Sequence, residues 1–277
     1  MLGALLIVFR EVLEAGLIVG IVMAATRGVP QRGRWVTIGI AAGVLGAAVV
    51  AMFAGVISDA FQGSGQELFN AGVLGIAVVM LMWHNAWMAR HGREIADEIR
   101  RVGAAVSEGS KPLTALAIVI GLAVLREGSE VVLFLYGQAA SGAGAAALAG
   151  GIALGVVGGV AVGFLLYFGL LGIPLRYFFS ATNWLMLLLA AGLASQAAGF
   201  LIQADLLPAL GNRIWDTSAL LSNASLMGKT MHTLIGYDAQ PAGMQIVFYA
   251  VTATAIALGM KLWGSPAGPQ RRVNATA

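Results

Sequence analysis

Two short runs in this chain place charge where the neighbouring residues are apolar. Residues 9–16 read FREVLEAG and residues 125–132 read LREGSEVV. Each holds Arg-Glu-x-x-Glu: Arg10, Glu11 and Glu14 in the first, Arg126, Glu127 and Glu130 in the second. On a helix, positions three or four apart share a face, so Glu11 points with Glu14 and Glu127 with Glu130. Each Arg stands four residues before the second Glu of its motif and can brace it. Clustered carboxylate oxygens suit hard cations, trivalent iron included. A guanidinium cannot bind a cation, but it neutralises and orients carboxylates until a metal arrives. The competing reading is a pair of internal salt bridges that only fix helix packing. Insertion scales put each ion at mid-membrane depth at about 2.5–3.5 kcal/mol, a cost that Leu would avoid, so the charges point to function.

The elements that carry these motifs follow from composition. Apolar residues make up 59% of the 277 and charged residues 10%, with mean hydropathy +0.86. A soluble domain carries roughly 25% charged residues, so this is an integral membrane protein. The net charge is +3, from 16 basic and 13 acidic residues, and no basic run suggests nucleic acid. Cys is absent, which removes disulfides, thiolate ligands and Cys nucleophiles. The first segment lacks a basic leader and carries three charges in its apolar run, so it reads as a retained span rather than a signal peptide.

A span needs about 20 mostly apolar residues. Seven are expected: Leu2–Ala25, Trp35–Ile57, Leu68–Met88, Pro112–Ala140, Ala145–Leu171, Asn183–Ile202 and Pro241–Leu262. Arg90–Gly109 is expected as a separate surface helix with Arg93–Asp97 and Asp97–Arg101 pairs. Residues 203–240 form a long outer loop, and the tail at 263–277 is expected to be disordered. Arg and Lys crowd the connectors after spans one, three and five and the C-terminal end, while Ser58–Glu67 and Ser141–Gly144 have none. The positive-inside rule then puts the N-terminus outside and the C-terminus inside.

The motifs fall in spans one and four, three spans apart, so their helices cross in opposite directions. Spans one to three and four to six thus form an expected inverted repeat (about 1–89 and 112–202), with one C-terminal helix added. Both motifs lie at similar distances from the outer ends of their spans, which predicts one shared site.

Weaker signals have plainer readings. Gln196 lies mid-span and either lines a path or hydrogen-bonds between helices. His84 and Asn85 lie toward the inner end of span three and could form an exit site, but an interfacial His satisfied by backbone or water is the simpler reading. Asp216 is expected as a helix N-cap and Asp238 as a turn residue. Asp205 and His232 sit on the same outer segment, where the alternative is iron capture or the docking of a partner; Asp216 and Asp238 are not expected as ligands. Gly155, Gly159 and Gly163, and Gly16 and Gly20, read as helix-packing positions. Met80 and Met82 read as apolar filler.

Two Arg-Glu-x-x-Glu motifs in the first and fourth of seven spans resemble the oxidase-dependent iron permeases, the high-affinity iron transporter family. The stretches LPALGNRIWDTSALLS (207–222) and HTLIGYDAQP (232–241) also look like that family's loop before the last span. The resemblance implies that Glu11, Glu14, Glu127 and Glu130 bind iron in passage, with Arg10 and Arg126 supporting. It implies an extracytoplasmic oxidase or iron-delivery partner and ferric iron after external oxidation, with iron as cargo rather than cofactor. The chain lacks the acidic Asp-Ala-Ser-Glu string of fungal members, and Ser195, Gln196 and Gln203 are neutral. The rival readings are a permease for manganese, lead or an organic amine, and a membrane iron sensor that transports nothing. A metal-dependent hydrolase fits poorly, because the chain has three His and none in either motif.

Overall fold

The structure, a computed structural model, describes residues 1–60, 66–169 and 175–263. Its helices are α1 (Leu2–Ala25), α2 (Arg32–Ala60), α3 (Gln66–Ser107), α4 (Thr114–Ala140), α5 (Ala145–Tyr167), α6 (Leu175–Gln203), α7 (Leu226–Ile235) and α8 (Gly243–Trp263). Among the described residues there is no strand. A helix is the one open segment that satisfies its own backbone in lipid. Parts of α2, α3, α5, α6 and α8 are long and apolar enough to cross a membrane. Helices α1 and α4 have 24 and 27 residues, but each interrupts its apolar run with a charged motif. The protein is thus an all-helical, multi-pass membrane protein.

The expected first span and α1 share their ends, and the others agree within several residues, except at α3. That helix runs unbroken for 42 residues, so the expected surface helix is its continuation. Gly92 costs about 1 kcal/mol in a helix, too little to stop one flanked by strong helix formers. The extension is anchored at its far end, where Ser107 Oγ donates to the Ala25 carbonyl at 3.0 Å. On its surface Asp97 pairs with Arg100 at 3.2 Å, not with Arg101 as expected. The Arg93 side chain and the tail at 264–277 lie outside the described residues.

The motif helices are held by two glycine seams. Helix α1 packs on α5, and α4 packs on α2. A Cβ at Gly155 would lie 2.8 Å from the Leu5 carbonyl oxygen and 2.8 Å from Val8 Cβ. A Cβ at Gly43 would lie 2.7 Å from the Gly121 carbonyl oxygen and 2.6 Å from Val124 Cβ. No side chain fits at either place, so the backbones meet directly. The two seams share one register. Leu5 and Val8 stand before Arg10 as Gly121 and Val124 stand before Arg126. Gly39 against Ala117 and Ile120 likewise matches Gly151 against Met1 and Ala4. Gly16 and Gly20 do not join a seam. They line a cavity of about 490 Å³ with Gly163, Leu166, Tyr167 and Arg100, which corrects the packing role expected of them.

The core lies between α3 and α6, where Leu74, Ala77 and Leu81 pack against Met186, Ala190, Leu193 and Ala197, with Met80 and Met82 filling around them. Outward, Leu45, Met52 and Phe53 of α2 and Val157, Val160 and Phe164 of α5 are exposed. Such an apolar exterior is stable against acyl chains rather than water.

Candidate metal centre

Both motifs point inward. Arg10, Glu11 and Glu14 on α1 and Glu127 and Glu130 on α4 are all buried. Each Arg braces the Glu four residues on, as the spacing predicts. Arg10 Nη2 lies 3.0 Å from Glu14 Oε1, and Arg126 Nε lies 3.3 Å from Glu130 Oε1. Each Arg also approaches its neighbouring Glu, Arg10 Nη1 to Glu11 Oε1 at 3.5 Å and Arg126 Nε to Glu127 Oε1 at 3.9 Å.

A third helix completes the cluster. His84 of α3, 3% exposed, stands between the two motifs. Its Nε2 lies 3.6 Å from Glu14 Oε2, and its Nδ1 contacts Glu130 Oε2. Glu11, His84, Glu127 and Glu130 each offer a ligand atom within 4.8 Å of the others. Three residues along α3, Trp87 lies under the Arg126 guanidinium, with Cζ 4.2 Å from the ring centroid. One face of α3 therefore serves both the carboxylates and the second guanidinium.

The interfacial role expected of His84 is corrected. The apolar run of the third span ends at Met88, which puts His84 near its expected inner end. The helix continues to Ser107, and His84 lies deep among charged groups. A signal was present: an ionisable residue in an apolar span marks function by default.

Several buried polar atoms here are left without a well-aligned partner. Glu11 Oε2, Glu14 Oε2, Glu127 Oε2, Glu130 Oε2 and both His84 ring nitrogens make no aligned hydrogen bond. Leaving such groups unsatisfied costs about 1–3 kcal/mol each, more if charged. A cation among Glu11, His84, Glu127 and Glu130 would satisfy several at once. Three carboxylates and an imidazole are a donor set that suits a first-row transition metal.

Other candidates lie apart. Gln196 is half-buried on α6, which packs chiefly on α3 and α8, and Ser195 beside it is buried. On the long loop, Asp216 Oδ1 accepts from the Ser218 amide at 3.0 Å, but a turn follows rather than the expected helix. Hydrogen bonds from the Ser218 side chain and amide, then from Gln240, hold the Asp216 carboxyl below its usual range. Asp238 shapes a turn as expected, accepting from the Gln240 amide at 3.0 Å and from Asn223 Nδ2 at 2.8 Å. His232 Nδ1 lies 2.7 Å from the Tyr237 carbonyl oxygen, at the end of α7. These contacts organise the loop around its own backbone.

The chain is similar to proteins of known type along most of its length. A family model described as the iron permease FTR1 family matches residues 1–263. A ferrous iron permease EfeU of Escherichia coli is 35% identical over 252 residues, spanning 89% of this chain and 90% of that protein. A ferrous iron permease EfeU of Yersinia pestis is 31% identical over 251 residues, spanning 89% of this chain and 88% of that protein. No solved structure matches.

Proposed function

Since this chain belongs to the iron permease family, we propose that it carries iron across a cytoplasmic or plasma membrane through the carboxylates of α1 and α4. The observation that carries this reading is the convergence of Glu11, Glu127 and Glu130 with His84 around one buried point, with Glu14 against the far side of the ring. A packing salt bridge alone needs neither four acids nor buried carboxylate oxygens left without an aligned hydrogen bond.

In the finer form of this reading, α1 to α6 and α8 are seven membrane crossings, with the N-terminus outside and the C-terminus inside. Helices α1–α3 and α4–α6 form an inverted repeat, a plan supported by the matched register of the two glycine seams. The ion waits at the interface between the repeats, and rocking of one repeat against the other opens the site inward. An extracytoplasmic oxidase or delivery protein supplies the iron. Hard carboxylate oxygens fit ferric iron made outside the membrane. A ferrous reading follows from charge if all four carboxylates are ionised and His84 is neutral: two guanidiniums then leave two negative charges, which one divalent ion balances.

Radiolabelled iron flux into proteoliposomes tests the site. Glu14→Gln and Glu130→Gln should each lower flux about 10–100-fold, the usual cost of disturbing a metal site or its supports, while elution of the purified protein is unchanged. Wild-type flux in both variants would remove these residues from the transport path. Flux with ascorbate present, compared with flux under an oxidant, decides the valence.

A further inference from the structure

His84 is the one imidazole in the cluster, and it stands between two acids with different surroundings. Glu130 belongs to the group whose atoms close to within 4.8 Å. Glu14 stands outside that group, held by Arg10 at 3.0 Å. The ring turns Nδ1 to Glu130 and Nε2 to Glu14. Neither nitrogen makes an aligned hydrogen bond, and the ring is buried. A metal-binding imidazole characteristically gives its second nitrogen to a carboxylate, which fixes the ring and raises its basicity. Arg10, Glu14 and His84 form such a series, ending at the three remaining carboxylates.

We propose that His84 is the nitrogen ligand of the transported ion, with Glu11, Glu127 and Glu130 as the oxygen ligands, and that Glu14 is a positioning residue that holds the far side of the ring. This rests on the reading of the cluster as an iron site and deepens it. It also divides the repeated motif: the second Glu of the first copy orients, while its counterpart in the second copy binds. The chemical consequence is selectivity. Three carboxylates alone also suit magnesium and calcium, whereas an imidazole ligand favours iron and its first-row neighbours.

The chain has three His, so a background carrying His91→Gln and His232→Gln leaves His84 as the sole imidazole. In nanodiscs, Cu2+ bound to this background should show the spin-echo modulation of a coordinated imidazole's remote nitrogen. Adding His84→Gln should abolish it. Adding Glu14→Gln should keep it while weakening Cu2+ affinity about 10–100-fold. In competition, Fe2+ bound to the wild type should resist an excess of Mg2+ and Ca2+, and Fe2+ bound to His84→Gln should yield to them. Bound Cu2+ without imidazole modulation in the His84-only background overturns the proposal, and this needs no variant of His84 to fold. A Glu14→Gln protein that loses the modulation overturns the positioning role. Loss of Fe2+ binding and iron flux in the wild type would instead defeat the iron reading itself. Intact flux with no imidazole signal defeats only the assignment of His84.

Discussion

Arg10 and Arg126 occupy equivalent places in the two motifs and have different environments. The Arg10 side chain is 2% exposed and that of Arg126 is 36% exposed. Replacing Arg10 leaves Glu14 buried beside His84 without its counter-charge. Breaking a buried pair in this way costs about 3–5 kcal/mol, so Arg10→Met should markedly lower the thermal midpoint in detergent. Arg126 loses less when replaced, since its charge is partly screened and Trp87 shares its contacts; Arg126→Met should cost about 1 kcal/mol. The melting curves of the two variants check this, and a larger loss for Arg126→Met would contradict the geometry. The motif residues were legible in the sequence because charge in an apolar run is conspicuous and helical spacing fixes the face. His84 was harder to see. The apolar run of its span ends at Met88, and no sequence rule reveals that a neighbouring helix turns its imidazole between two acids on other helices.

The motif helices are placed by close backbone approach. At Gly43 and Gly155 an added methyl would meet backbone and Cβ atoms within 2.8 Å, so the helices must separate to admit it. Gly43→Ala and Gly155→Ala should each destabilise by about 1–3 kcal/mol, as overpacking does. Gly16 has no neighbour within 4 Å of an added Cβ, and Gly16→Ala should stabilise by up to about 1 kcal/mol through helix propensity. Thermal unfolding of the three purified variants separates the cases, and equal effects would deny the seams. The sequence pointed to part of this. Gly155 and Gly159 at four-residue spacing announced a packing face, and both lie against α1. Gly16 and Gly20 have the same spacing and line a cavity instead. Spacing identifies a smooth helix face but not which helix covers it; the neighbour is set by how the whole bundle closes. The long α3 was missed for a related reason, because a change from apolar to charged composition marks where lipid ends and not where a helix does.

At the scale of the molecule, α2, α5 and α8 carry the most exposed apolar surface, and the charges lie between α1, α3 and α4 beside the α3–α6 core. The expected orientation predicts a labelling pattern, which the absence of native Cys makes simple to read. Ser141→Cys and Ser222→Cys should react with an impermeant maleimide on intact cells. Ser110→Cys should react only after permeabilisation. The reverse pattern would invert the protein, and labelling of all three from outside would remove a crossing. The crossed seams also bear on biogenesis. Helix α1 finds its main partner in α5, which begins at Ala145, so about 120 residues separate the end of one from the start of the other. At ribosomal rates of about 5–20 residues per second, the nascent α1 must wait on the order of ten seconds before Gly155 and Gly159 can close against Leu5, Val8 and Val12. During that interval the insertion machinery, rather than the finished protein, has to hold α1 in place, and a message truncated before α5 would leave that side of the helix bare.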